Sequence, residues 1–113
     1  MRNSLEEVME VVKKFLKEVS KRFKIEKAYV FGSYVKGTWL KGSDIDLVIV
    51  SPDFGDIPFL KRLDVLNEIQ WRMRIRPFIE VIPLTPSEFK ERIRSSAVLM
   101  DASKYWIEVL LGD

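Results

Sequence analysis

Two aspartates open an apolar stretch in the middle of the chain. Asp44 and Asp46 are separated by one residue, and the apolar run Leu47-Val48-Ile49-Val50 follows them. Because alternate side chains of an extended strand share one face, both carboxylates are predicted to point the same way, a few ångströms apart. Carboxylates that close repel each other unless a cation lies between them. The pair therefore indicates a site for a hard divalent cation such as Mg²⁺, which takes oxygen ligands and keeps substrate phosphates in its shell.

A glycine-serine turn precedes the aspartates and is suited to phosphate. Gly32 permits a tight turn because it lacks a Cβ atom. Ser33 and the backbone N–H groups after it are expected to face a phosphate at a helix N-terminus. Lys36 and Lys41 lie in the connection between the turn and the aspartates, and their ammonium groups are expected to neutralise the outer phosphates of a nucleotide.

A third carboxylate lies further along the chain, in the apolar run Phe78-Ile79-Glu80-Val81-Ile82. On a strand beside the aspartates, Glu80 would complete a set of ligands for two Mg²⁺ ions. Such a pair of ions stabilises the attacking and the leaving oxygen of a displacement at phosphorus. The alternative is that Glu80 is a surface carboxylate on an edge strand or a partner of nearby Arg76.

A helix and three short strands are predicted to position the turn and the carboxylates. The helix ends near Arg22, because apolar residues recur at helical spacing up to that point. The strands span residues 27–31, 44–50 and 78–84. On the second strand, one face is predicted to carry Ile45, Leu47 and Ile49, opposite the face that carries the aspartates and Val48.

Further helices and a terminal strand complete the predicted fold. A helix spans residues 58–73, with a buried stripe of Phe59, Leu63, Leu66 and Met73. Another begins at Thr85-Pro86-Ser87-Glu88, which supplies an N-cap, a first-turn proline and a capping-box glutamate. Residues 96–102 form a short helix, and residues 105–110 fit a strand or a helix, of which the strand is favoured. The prediction is a single α/β (α+β) domain, residues 1–113, with a small mixed β-sheet of three to four strands flanked by helices.

The composition excludes several classes of protein. Neither cysteine nor histidine occurs in the 113 residues, which excludes disulfides, thiolate metal sites and histidine bases. A net charge of +2 argues against a broad field for nucleic-acid binding. No apolar run approaches the length of a membrane span, and the N-terminus has no signal-peptide core, so a cytoplasmic location is expected.

Gly32-Ser33, ten intervening residues and then Asp44-x-Asp46 resemble the signature of the minimal nucleotidyltransferase domain of the polymerase-beta-like superfamily. The Lys36-Gly37 pair and the apolar residues around both motifs also match, and the resemblance covers close to the whole chain. It implies that Gly32 and Ser33 contact a nucleoside triphosphate and that Asp44 and Asp46 bind Mg²⁺. It also implies that Glu80 is the third acidic ligand, which would take the proton of an attacking hydroxyl.

The resemblance implies transfer of a nucleoside monophosphate, AMP from ATP, to a hydroxyl acceptor with release of pyrophosphate. Larger relatives hold the acceptor with extra domains, so a partner is expected to complete the acceptor site of this chain. Small members of the family resemble the antitoxin paired with a HEPN-domain toxin, whose tyrosine is adenylylated. A small helical HEPN-type partner is therefore expected, with no role for a membrane.

Other classes of function stay open at this point. A binding module with the same fold would neutralise a partner without catalysis. A sheet-based RNA-binding domain would need a basic or aromatic sheet face, where the sequence places acidic residues. Arg72, Arg74 and Arg76 are interpreted as serving the helix dipole and solubility rather than RNA. The tryptophans, Trp39, Trp71 and Trp106, are interpreted as packing or subunit-contact residues. The oligomeric state is left open.

Overall fold

Helices and strands alternate along the part of the chain that the computed structural model describes, residues 4–40 and 42–111. The helices are α1 (Ser4–Val19), α2 (Ser33–Lys36), α3 (Phe59–Met73), α4 (Pro86–Ser95) and α5 (Ala97–Ala102), and a 3₁₀ helix spans Pro52–Asp56. The strands are β1 (Lys27–Phe31), β2 (Ile45–Val50), β3 (Ile79–Leu84) and β4 (Ile107–Glu108). No helix in these two stretches is both long and apolar enough to cross a bilayer.

The strands form one mixed sheet in the order β3-β2-β1-β4. Strand β1 is antiparallel to both β2 and β4, whereas β2 and β3 are parallel. This arrangement confirms the predicted mixed sheet flanked by helices, and β4 confirms the favoured terminal strand, although it spans only two of the predicted residues 105–110. Because β2 lies between two partners, hydrogen bonds on both of its edges fix its register.

Apolar clusters cover both faces of β2. One face carries Ile45, Leu47 and Ile49, which pack with residues of α1 and α3. The other carries Val48 and Val50, which pack with residues of α5 and the end of β3. The predicted alternation of side chains along this strand is confirmed, and burial on both faces explains why the strand reads as a nearly continuous apolar run.

Some element boundaries differ from the prediction by a few residues. Helix α1 ends at Val19 rather than near Arg22. The N–H groups of Lys21 and Arg22 bond carbonyls only three residues back, at 3.2 and 3.0 Å, so the last turn tightens into 3₁₀ geometry. Strands β2 and β3 each begin one residue later than predicted. The Ile45 N–H donates to the Phe78 carbonyl at 2.8 Å where the two strands meet.

The predicted buried stripe of α3 is partly wrong. Leu66 is buried, and Leu63 and Met73 are partly buried, but Phe59 is exposed. The buried face also carries polar side chains, among them Gln70. Its amide bonds the free edge of β3, donating to the Ile79 carbonyl at 2.7 Å and accepting from the Ile79 N–H at 2.8 Å. A buried glutamine is tolerated there because both ends of its amide are satisfied. A pattern based on apolar spacing cannot detect such a contact.

The tryptophans differ in how far they pack. Trp106 stacks on Tyr29 with ring centroids 4.2 Å apart, and Trp39 stacks on Tyr34 at 5.8 Å. Trp71 is 81% exposed. The packing interpretation therefore holds for the stacked rings of Trp106 and Trp39 and is wrong for Trp71, whose contact with another subunit stays a prediction.

A buried arginine joins α3, β3 and α4. The Arg62 side chain donates to the carbonyls of Ile57 (2.8 Å) and Pro83 (3.0 Å). It also donates to both carboxylate oxygens of Glu88, at 2.7 and 3.2 Å. Glu88 completes the predicted capping box of α4 by accepting from the Thr85 N–H at 2.8 Å. The bonds from Arg62 and from Thr85 hold the pKa of Glu88 at about 2, below its ordinary value of 4.5.

Replacing Glu88 by glutamine should lower the free energy of unfolding at pH 7 by about 1–2 kcal/mol, towards the lower end because the carboxylate is partly screened by solvent. A lowered folded-state pKa gives stability that is present above 4.5 and lost as the pH falls towards 2. The difference between wild type and Glu88→Gln should therefore shrink over that range in urea unfolding curves. Glu91→Gln, on the exposed side of α4, is the control. A constant difference between wild type and Glu88→Gln at every pH would contradict the assignment.

Candidate functional site

The acidic residues predicted from the sequence meet at one end of the sheet. In the parallel register of β2 and β3, Asp46 lies opposite Glu80. In the antiparallel register of β1 and β2, it lies opposite Phe31, the residue before Gly32. Asp44 lies just before β2 and is exposed. Residues that are far apart in sequence are thus brought to the same edge by strand pairing alone.

The electrostatics of Asp46 reflect this crowding. Its pKa is raised from 3.8 to about 6, first by burial and then by the charges of Glu80 and Asp44. Below pH 3.8 this carboxyl does not lower the free energy of unfolding, because it is protonated in both the folded and the unfolded state. The reduction in the free energy of unfolding grows as the pH rises to about 6. At neutral pH the ionised carboxylate therefore lowers the free energy of unfolding, by roughly 1–3 kcal/mol.

Gly32 is required by the close approach of its backbone to Asp46. Its φ is +85°, in the left-handed region that favours glycine. A Cβ atom built on Gly32 would overlap the Oδ2 atom of Asp46. The Asp46 carboxylate therefore lies directly against the backbone of residue 32. Any side chain at residue 32 would displace this carboxylate.

Ser33 and Lys36 lie in α2, directly after this turn. The N–H groups of Val35 and Lys36 both donate to the Gly32 carbonyl at 3.1 Å, which closes the short helix on the turn. The Lys36 ammonium lies 3.6 Å from an oxygen of Asp101, with both side chains exposed. Lys41, the other predicted phosphate-binding lysine, lies outside the described residues.

Tyr105 also contacts the site, although no sequence pattern points to it. Its hydroxyl accepts a hydrogen bond from the Gly32 N–H at 3.1 Å. The Lys36 ammonium lies 4.8 Å from the centre of its ring. Tyr105 follows α5 and is distant from the turn in sequence. No local signal marks it, because its position depends on how α5 packs against the sheet.

Ser43, in the connection between α2 and β2, is held by two hydrogen bonds. The Tyr34 hydroxyl donates to the Ser43 carbonyl at 2.9 Å, and the Leu40 N–H donates to the Ser43 hydroxyl at 2.9 Å. Both bonds hold the residue immediately before Asp44. The first aspartate thus follows a residue whose position is held by hydrogen bonds, although its own side chain is exposed.

The donor set fits a hard cation. Across residues 4–40 and 42–111, no three acidic side chains are arranged so that they could hold a metal ion by themselves. Mg²⁺ does not need one, because it is usually bound by one or two carboxylates together with waters and substrate phosphates. Asp44, Asp46 and Glu80 supply carboxylate oxygens at one edge. The absence of a Cβ atom at Gly32 leaves the space that one of these oxygens, Oδ2 of Asp46, occupies.

Comparison with known proteins finds one family and several relatives. The family model described as a nucleotidyltransferase domain matches residues 12–99. A protein of Methanocaldococcus jannaschii named as a candidate protein adenylyltransferase is 28% identical over 105 residues, covering 91% of this chain and 99% of its own. The protein adenylyltransferase MntA of Thermococcus cleftensis is 37% identical over 65 residues, covering 58% of this chain and 63% of its own.

A solved structure shares the fold. The crystal structure of a toxin-antitoxin with AMP-PNP superposes with a TM-score of 0.57. The match covers 93% of this chain and 74% of the other, at 18% identity. At that identity the likeness concerns the fold alone, and it agrees with the sheet and helices described above.

Gly32→Ala should displace the Asp46 carboxylate and lower the rate of nucleotidyl transfer at least ~10-fold, because a small misplacement at a reacting centre is costly. Gly37→Ala is the matched control, because Gly37 has a φ of +81° but a Cβ atom added to it would have nothing within 4 Å. Both variants should lose ~1 kcal/mol of stability from backbone strain, and Gly32→Ala should lose more because its Cβ atom also overlaps Asp46. Carboxyl NMR titration should show a changed pKa of Asp46 in Gly32→Ala only. Equal losses of activity in the two variants would contradict the close approach.

Proposed function

Because the chain belongs to the nucleotidyltransferase domain family, we propose that it transfers an adenylyl group from Mg·ATP to a hydroxyl group of a protein. The relatives named as protein adenylyltransferases support both the adenylyl group and the protein acceptor. The observation that carries the proposal is the meeting of Asp44, Asp46 and Glu80 at one edge of the sheet, beside the Gly32 turn.

The reaction is an in-line displacement at the α-phosphorus of ATP. The acceptor oxygen attacks phosphorus, the bond from phosphorus to the oxygen bridging to the β-phosphate breaks, and pyrophosphate leaves with the electron pair. The proton of the acceptor hydroxyl passes to Glu80, which is exposed to an incoming group and lies opposite Asp46. Glu80 thus has the role of general base.

Asp44 and Asp46 would hold Mg²⁺, with Glu80 as a further ligand where two ions bind. Bound Mg²⁺ supplies neutralisation of the triphosphate charge and a lower pKa for the attacking hydroxyl. The chain itself contributes the position of the Asp46 carboxylate close to the Gly32 backbone, in space that a side chain at residue 32 would fill. Preorganised charge of this kind favours the transition state because little rearrangement is needed as the reaction proceeds.

Ser33, Lys36 and Lys41 are proposed to bind the phosphates. The ion pair of Lys36 with Asp101 is solvent-exposed on both sides, so it contributes little and its ammonium is available to an incoming phosphate. The Tyr105 hydroxyl accepts a hydrogen bond from the Gly32 N–H, so it lies at the same turn. Its proton is therefore placed to be donated to a phosphate oxygen.

The acceptor is proposed to be a tyrosine of a small helical HEPN-type toxin, which this chain would neutralise as an antitoxin. Support comes from a structure with the same fold that is a toxin-antitoxin with AMP-PNP. A reaction that consumes ATP is expected to take place in the cytoplasm.

Incubation with Mg²⁺, ATP and the protein that co-purifies with the chain tests the proposal. Label in the α-phosphate should enter the partner, whereas label in the γ-phosphate should leave as pyrophosphate. The double variant Asp44→Asn, Asp46→Asn should transfer at least ~100-fold more slowly, because it removes the proposed metal ligands. Asp64→Asn, exposed on α3, removes a carboxylate away from the site and is the control.

Mass spectrometry of the labelled partner should locate AMP on a tyrosine. The enzyme proposal fails if the wild type transfers no label and the double variant still blocks the partner. That result would favour a binding module with the nucleotidyltransferase fold.

A further inference from the structure

A basic groove with an exposed aromatic side chain lies at the C-terminal end of α3. Trp71, Arg72, Arg74 and Arg76, here called the arginine groove, line a depression of about 530 Å³. All four side chains are exposed, and Trp71 has an exposed fraction of 81%. An exposed tryptophan among arginines matches the composition of residues that dominate protein interfaces.

The sequence interpretation of these arginines, helix dipole and solubility, does not account for the groove. The helix dipole favours Arg72, in the last turn of α3, and Arg74, its C-cap, but the effect fades at Arg76, two residues further along. Arg74 has a φ of 56°, a left-handed conformation that ends helices and that glycine adopts at less cost. The exposed Trp71 ring opposes solubility rather than aiding it.

The guanidinium groups of the groove have few partners within the described residues. Arg72 makes one long ion pair with Glu68, at 3.6 Å, with both side chains exposed. Arg76 donates to the carbonyl of its neighbour Ile75 at 2.9 Å. Arg74 makes no ion pair within the part of the chain that is described. Most of the donors are therefore free for a carboxylate, which arginine binds through two parallel hydrogen bonds.

The groove lies at the same end of the sheet as the candidate active site. Arg76 is in the connection between α3 and β3, and the Phe78 carbonyl in this connection accepts a hydrogen bond from the N–H of Ile45, the residue after Asp44. Along the chain, Arg76 precedes Glu80 by four residues, which span at most ~14 Å of backbone. A peptide of a few residues would therefore reach from the groove to the carboxylates.

We propose that the arginine groove binds an acidic segment of the acceptor protein, next to the hydroxyl that is modified. This inference rests on the proposed function. Acidic side chains would contact Arg74 and Arg76, an apolar side chain would cover Trp71, and the hydroxyl would lie near Glu80. A protein segment fits better than RNA, because a continuous phosphate backbone would meet the exposed carboxylates of Asp44 and Glu80.

Two fluorescent tyrosine peptides of equal length test the inference, one with glutamates beside the tyrosine and one with glutamines. Fluorescence polarisation without ATP or metal should show the glutamate peptide binding the wild type at least ~10-fold more tightly, with affinity falling as salt rises. The double variant Arg74→Gln, Arg76→Gln should lose most of that preference. Arg92→Gln, Arg94→Gln, a matched pair on the exposed side of α4, should keep it. Thermal unfolding of each variant verifies that the variant is folded.

Unchanged binding of the glutamate peptide by the folded Arg74→Gln, Arg76→Gln variant would overturn the inference. A single-stranded RNA that binds more tightly than the peptide, and depends on the same arginines, would also overturn it and assign the groove to nucleic acid. The assay contains no ATP, so its failure leaves label transfer to the partner untouched. Conversely, preferential peptide binding without any label transfer would support the groove and contradict the proposed reaction.

Discussion

The pairing of Asp46 with Glu80 in adjacent parallel strands is the constraint on which the rest of the site depends. Two like charges directly opposite each other are unfavourable, and the burial of Asp46 adds to that cost. The register holds because β2 buries apolar side chains on both faces. A slip of β2 by one residue would exchange its two faces and turn Asp46 towards the apolar cluster that packs with α1 and α3. Hydrophobic burial thus offsets the repulsion of the carboxylates.

The elements with local signals could be predicted from the sequence. The capping box at Thr85, the glycine turn and the alternating face of β2 each depend on a few neighbouring residues, and the structure confirms them. The meeting of Asp46 with Glu80 was predictable once the strands and the family resemblance were combined. Their catalytic roles stay predictions.

Other contacts between distant residues, which lack a strand pattern or a family motif, could not be read from the sequence. The predicted face of α3 was partly wrong because Gln70 is buried to bond the edge of β3, which apolar periodicity does not detect. Tyr105 reaches Gly32 only through the packing of α5. The proposed role of the arginine groove could not be predicted either, because Arg74 and Arg76 follow a helix end, where basic residues have an ordinary explanation. Their exposure beside Trp71 becomes visible only in the structure.

We propose that a bound divalent cation stabilises the carboxylate edge, where like charges repel one another. The most direct test compares the unfolding temperatures of wild type and Asp46→Asn at pH 7.5 as MgCl₂ is added at constant ionic strength. Without Mg²⁺, Asp46→Asn should unfold at a temperature roughly 4–8 °C higher than wild type. Added Mg²⁺ should raise the unfolding temperature of wild type and leave the variant nearly unchanged. A variant no more stable than wild type, with equal responses of both to Mg²⁺, would contradict this view of the site.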